Sequence, residues 1–156
     1  YAGTISVIKH AIEWFEQKEQ IVSETCCIYA TAPFVTKESL REALALLLQT
    51  GSDYCFTVTS FPFPIQRAVK KTTNNRLEMF YPEHFNTRSQ DLEEAYHDAG
   101  QFYWGNSAAF KLKKPLFSEF ATPYVLPQYL VQDIDTPADW KRAELMYQLL
   151  QESEEL

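Results

Sequence analysis

Apolar positions recur every three or four residues at the start of the chain. Ile5, Ile8, Ile12 and Phe15 mark one face of a helix ending near Gln20. An apolar run over 25–30 then predicts a strand buried on both sides, ended by Thr31-Ala32-Pro33-Phe34. Helical spacing returns at Leu40, Ala43, Leu44, Leu47 and Leu48, with Thr36 as cap and Gly51 as stop. Residues 53–61, rich in aromatic and β-branched side chains, predict a second strand. Helix, strand, helix and strand with short connections follow βαβ logic. The pattern implies an α/β fold, with a mostly parallel sheet flanked by helices.

The middle of the chain breaks this rhythm. Pro62, Pro64 and the run from Gln66 to Lys71 predict an extended arm over about 63–91. Thr73-Asn74-Asn75-Arg76 is a turn signal, and 77–80 is the return strand. Residues 81–100 have no clean period, and long irregular stretches inside a compact chain tend to bind something. Phe80, Tyr81 and Phe85 would be costly left in water, so a second copy of the chain is the expected cover, giving a homodimer. Later segments predict strands at 101–104 and 122–126, a short helix from Asn106, and a last helix over 137–150. That helix carries Trp140, Ala143, Tyr147 and Leu150 on one face.

At 156 residues the chain suits one domain, 1–156, with the arm inserted in it. It is 46% hydrophobic, too apolar for disorder, yet no apolar run approaches the roughly 20 residues of a membrane span. A net charge of −7 with scattered Lys and Arg argues against nucleic-acid binding. Cys26, Cys27 and Cys55 sit in strand-like runs without zinc spacing, which points to buried thiols and a reducing, cytoplasmic setting. The start at Tyr1-Ala2-Gly3-Thr4 has no initiator Met and no leader pattern, and it falls in mid-pattern, as a fragment would.

The densest chemistry lies in Val131-Gln132-Asp133-Ile134-Asp135-Thr136-Pro137. In an extended segment, side chains two apart share a face with backbones roughly 7 Å apart. Asp133 and Asp135 can then hold one hard cation such as Mg²⁺, or they can be ordinary acids before a helix capped by Thr136 and opened by Pro137.

Four segments in order resemble the nonulosonic (sialic-type) acid cytidylyltransferases, nearest their pseudaminic acid branch. They are Ile28-Tyr29-Ala30-Thr31-Ala32-Pro33-Phe34, then Ser60-Phe61-Pro62-Phe63-Pro64-Ile65-Gln66-Arg67-Ala68. The stretch from Glu83-His84-Phe85-Asn86-Thr87-Arg88 to Tyr96-His97-Asp98-Ala99-Gly100-Gln101-Phe102-Tyr103-Trp104 follows, and the Asp-Ile-Asp segment closes the series. The resemblance implies a Rossmann-like nucleotide-diphospho-sugar transferase fold with a dimerisation arm. It implies CMP transfer from CTP to a nine-carbon 2-keto sugar acid, for surface or flagellin glycosylation, with Mg²⁺ on Asp133 and Asp135 as the catalytic pair. Family members open with a basic, glycine-containing phosphate loop and a first strand that have no counterpart in this chain. This span alone is therefore not expected to turn over CTP. Tyr29 and Ala99-Gly100 depart from the sialic acid pattern at sugar-facing positions and favour pseudaminic acid.

The same resemblance suggests roles for other residues. Arg88 is a candidate clamp for the sugar carboxylate, or a surface arginine paired with Asp91 or Glu94. Gln66 and Arg67 face the sugar or line the arm, and His84 and Asn86 are polar contacts in that arm. His97 and Tyr103 meet substrate in the cleft, and Tyr29 forms its wall. Lys111, Lys113 and Lys114 read as a solvated basic loop. Two other readings fit these residues. One is a metal-dependent glycosyltransferase with an Asp-x-Asp site. The other is a non-catalytic dimerisation and sugar-binding fragment.

Overall fold

Ten regular elements account for most of the chain in a computed structural model that describes residues 3–152. In order they are α1 (Thr4–Glu16), β1 (Glu24–Ile28), α2 (Lys37–Thr50), β2 (Tyr54–Ser60), β3 (Val69–Lys71) and β4 (Leu77–Met79). After the arm come β5 (Tyr96–Asn106), α3 (Ser107–Lys111), β6 (Ala121–Val125) and α4 (Pro137–Glu152).

The helix boundaries follow local chemistry. Thr36 and Ser39 cap α2 reciprocally: the Thr36 hydroxyl accepts from the Ser39 amide at 3.1 Å, and the Ser39 hydroxyl accepts from the Thr36 amide at 3.3 Å. Gly51 ends α2 in the left-handed region, φ 64°. Asn106 caps α3 by accepting from the Ala108 amide at 2.9 Å. Thr136 caps α4, accepting from the Asp139 amide at 3.2 Å, while the Asp139 carboxylate takes the Thr136 amide at 2.9 Å. α1 is shorter and narrower than its sequence pattern. It stops at Glu16, buries Ile8 and Ile12, and leaves Phe15 43% exposed against Trp14.

The sheet is mixed, which corrects the mostly parallel expectation. Its order is β1-β5-β2-β6, with β5 antiparallel to both β1 and β2 and with β6 parallel to β2. β1, β2 and β6 thus run one way, as the βαβ pattern requires, and the chain returning from the arm fills the gap between β1 and β2 in the opposite sense. Cys26 and Cys55 both pair with Trp104, and Cys27 and Phe56 both pair with Tyr103. β1 ends the described sheet and is only half-buried, with Ile28 51% exposed, so it is not the doubly covered strand that its apolar run predicted.

Alternation along β2 divides the core. Tyr54, Phe56 and Val58 face Ile8, Ile12 and Phe110 of α1 and α3, while Cys55 joins Phe102 beneath Ala43 and Leu47 of α2. A fully buried phenylalanine such as Phe102 or Phe110 stabilises by about 1.5–3 kcal/mol. Gly105 is required where these layers meet, because a Cβ there would lie 2.5 Å from Phe110 Cε2 and 2.6 Å from Tyr54 Cδ1. A third small cluster of Phe34, Ala143 and Leu150 seats α4. β3 and β4 pair only with each other and form the arm hairpin, where Asn75 takes φ 62° in the predicted turn.

Candidate functional site

A partly open cleft of about 720 Å³ lies where β1 and β2 end, between the start of β5 and α4. Tyr29 follows β1, Thr59 and Ser60 end β2 with Pro62 just after it, and Gln128, Val131, Gln132 and Asp133 come from the segment after β6. The site therefore sits at the carboxyl ends of the three co-directional strands, the usual ligand position in open α/β sheets. Hydrogen bonds tie the strand ends together. Thr59 donates to the Leu126 carbonyl at 2.9 Å, and Gln128 donates to the Ser60 carbonyl at 3.1 Å.

An irregularity in β5 shapes the cleft floor. Tyr103 pairs with Phe56 and Asp98 with Val58, so Ala99, Gly100, Gln101 and Phe102 all face the single residue Thr57. This bulge is held by Gly100 at φ 62°, whose amide donates to Asp98 Oδ1 at 2.8 Å. The Thr57 hydroxyl and the Phe102 backbone close its other end at 3.3 Å. Bulging turns His97, Asp98, Ala99 and Gly100 into the cleft wall.

Its side chains form one network. The Tyr103 hydroxyl donates to the Asp98 carboxylate, the Tyr29 and Tyr103 rings lie 5.2 Å apart, and the Tyr29 hydroxyl sits 3.3 Å from Thr4 Oγ1. Burial first, then the bonds to Asp98 and Tyr29, pushes the Tyr103 phenol well above its usual range, so it remains a neutral donor. His97 Nδ1 lies 2.8 Å from the Asp98 carbonyl oxygen, an acceptor, so this nitrogen carries a proton.

The cleft gathers Tyr29, His97, Tyr103 and Asp133. Asp135 lines a separate opening with Ile134, Thr136, Pro137 and Trp140. Both aspartates are exposed, and their carboxylates have no hydrogen-bond or ion-pair partner among the described residues. The segment between β6 and α4 is irregular rather than strand-like, so the shared face that an extended pair would have is not imposed by a ladder. Among the described residues, no group of three or more His, Cys, Asp or Glu side chains is arranged to hold a metal.

None of the other predicted contacts lines the cleft; they lie in the arm. Gln66 donates to the Glu93 carbonyl at 3.1 Å, and Arg67 donates to the carbonyls of Phe85, at 3.2 Å, and Thr87. His84 Nδ1 is 3.4 Å from the Thr87 hydroxyl, Asn86 is exposed, and Arg88 forms a two-point pair with Asp91 at 2.7 and 3.2 Å. The predicted basic loop is not simply solvated either. Lys111 pairs with Glu16 at 2.7 Å and Lys114 with Asp53 at 2.7 and 2.8 Å.

Sequence reasoning missed Arg142 and Met146 on α4, and it assigned no role to Asp98, Ser60, Gln128 or Gln132, all of which line the cleft. Asp98 carried a usable signal, an acid two residues before a glycine, which is a turn pattern. The thiols take no part. Burial and then the charge of Cys27 push Cys26 up to about 12, and burial pushes Cys55 up to about 11.

No family model matches the chain. The chain is 42% identical over 153 residues to the pseudaminic acid cytidylyltransferase of Campylobacter jejuni serotype O:2, which covers 98% of this chain and 66% of that protein. A Helicobacter pylori protein named pseudaminic acid cytidylyltransferase and UDP-2,4-diacetamido-2,4,6-trideoxy-beta-L-altropyranose hydrolase is 34% identical over 134 residues, covering 85% of this chain and 25% of its own length. The CMP-N,N'-diacetyllegionaminic acid synthase of Legionella pneumophila is 26% identical over 146 residues, covering 89% of this chain and 60% of that protein. The chain thus spans 66% of the length of the Campylobacter relative.

Proposed function

We infer that this chain, which belongs to the nonulosonic acid cytidylyltransferase family over the span it shares with those relatives, forms the sugar-acid side of an enzyme that transfers CMP from CTP to pseudaminic acid or a close relative. The observation that carries this reading is the cleft at the strand ends, where Tyr29, His97, Tyr103 and Asp133 meet. The sugar's anomeric hydroxyl attacks the α-phosphorus of CTP. An O–P bond forms, the bond to the β-phosphate bridge breaks, pyrophosphate leaves and the hydroxyl proton is released. Such a step depends on in-line positioning and on neutralising charge.

The residues divide that work. Tyr29 and Tyr103 form an aromatic wall, and Asp98 holds the Tyr103 hydroxyl in place. His97, with Nδ1 bonded to the Asp98 carbonyl, leaves Nε2 to meet a polar group of the substrate. Asp133 and Asp135 would hold Mg²⁺. Two exposed, unpartnered carboxylates suit a cation that takes one or two protein oxygens and completes its shell with water and phosphate. When bound, Mg²⁺ neutralises phosphate charge.

The arm supports a homodimer. Its apolar side chains are left bare, with Phe63 78%, Leu77 74% and Phe85 67% exposed, and a second copy would cover them. No described helix is long and apolar enough to cross a membrane. The test is pyrophosphate release by the protein at its natural length, with CTP and a panel of nonulosonic acids. kcat/KM should be highest with pseudaminic acid, and failure with every sugar acid would overturn the reading.

A further inference from the structure

Resting on that reading, we propose that Arg142 of α4 binds the carboxylate of the sugar acid. The substrate is an anion, and the cleft that receives it already carries two acids, Asp98 and Asp133. A third carboxylate placed among them is favoured by a positive side chain beside it, since a metal held by Asp133 would serve the phosphates. Arg142 is the sole Lys or Arg lining the cleft among the described residues.

Its guanidinium is available. The ion pair it makes is a loose one, 3.8 Å from Nη1 to Asp139 Oδ1, and the side chain is 66% exposed. Asp139 is engaged elsewhere, since its Oδ2 accepts from the Thr136 amide at 2.9 Å and from the Thr136 hydroxyl at 2.7 Å. A planar group with five donors is thereby left free for a two-point match to a carboxylate. The arm arginines are committed. Arg67 donates to two backbone carbonyls, and Arg88 already grips Asp91.

Arg142 is also well placed mechanically. The next residue, Ala143, is buried against Phe34, and the Thr136–Asp139 box fixes the first turn of the helix. A rigid helix therefore presents the guanidinium to the cleft without ordering a loop. Met146, one turn on, lines the same wall.

The experiment uses the natural-length protein with CTP and the sugar acid accepted by the wild type. Arg142→Gln should raise KM for the sugar acid at least tenfold and move KM for CTP less than twofold. Arg142→Lys, which keeps the charge but loses the fork, should fall between them. With the carboxamide analogue of the sugar acid, wild type and Arg142→Gln should agree within twofold. Calorimetry of the sugar acid alone should show the same ranking. An unchanged sugar KM in Arg142→Gln overturns the assignment, as does an effect confined to CTP. A wild type that releases no pyrophosphate with any sugar acid overturns the parent reading instead.

Discussion

The cleft and the arm use polar side chains in opposite ways. In the cleft, Tyr103 and Asp98 bond within β5, and Tyr29 ties that pair to distant parts of the chain, meeting the Tyr103 ring and, 25 positions back, the Thr4 hydroxyl. In the arm, Arg67, His84 and Arg88 bond to groups within about twenty positions, and the hairpin of β3 and β4 pairs only three residues with three. The cleft is preorganised by the sheet beneath it. The arm holds its own outline and turns its apolar side chains outward. A cleft and an exposed apolar arm are thus built from similar residues, and the direction of their bonds tells them apart.

The largest effect that tests this comparison is on turnover. Asp133→Asn in the natural-length protein should lower pyrophosphate release on the order of 100-fold with an unchanged melting curve. Asp135→Asn should match it if both carboxylates serve one cation. A normal Asp135→Asn beside a dead Asp133→Asn would show that the two openings act separately. Next comes the sheet itself. Gly105→Ala forces a Cβ against Phe110 and Tyr54 and should destabilise by about 1–3 kcal/mol in a denaturant titration. A change under 0.5 kcal/mol would show that the layers can part there. In the arm, Phe80→Ser with Phe85→Ser should convert a sedimenting dimer to monomer while shifting monomer stability by no more than about 0.5 kcal/mol. A dimer that survives would place the contact elsewhere.

The smallest effect is alkaline. Burial raises Cys55 from 9.0 to about 11, so the folded protein keeps a proton that the unfolded chain has released. Stability from this group is intact below pH 9.0 and falls as pH rises towards 11. Cys55→Ala should flatten that part of the stability profile, measured by thermal melts between the two limits. An unchanged slope would assign the alkaline loss to Cys26 and the buried tyrosines.

Local signals in the sequence were readable because their physics is local. Thr36, Gly51, Asn106, Thr136 and the Asn74-Asn75 turn all occur where propensity and capping require them. Strand direction was not readable. An apolar run such as 101–104 carries no sign, and only the return path of the arm makes β5 antiparallel. The bulge escaped for the same reason, since it is defined by what faces Thr57 rather than by its own residues. In the site, Asp133 was named from its spacing to Asp135, Tyr29, His97 and Tyr103 from the family resemblance, and the four meet in the cleft. Arg142 was hidden because α4 shows a charged residue among many, and only its packing selects which one meets the cleft.

The central position of β5 also sets an order of events. β1 and β2 are finished within the first sixty residues, yet neither pairs with the other, and both wait for the segment that brings Asn106 opposite Glu24. During synthesis, the edges of β1 and β2 that β5 covers therefore stay without that partner until β5 leaves the ribosome. Closing so long a loop before its contacts reward it slows assembly and leaves early intermediates prone to edge-to-edge association.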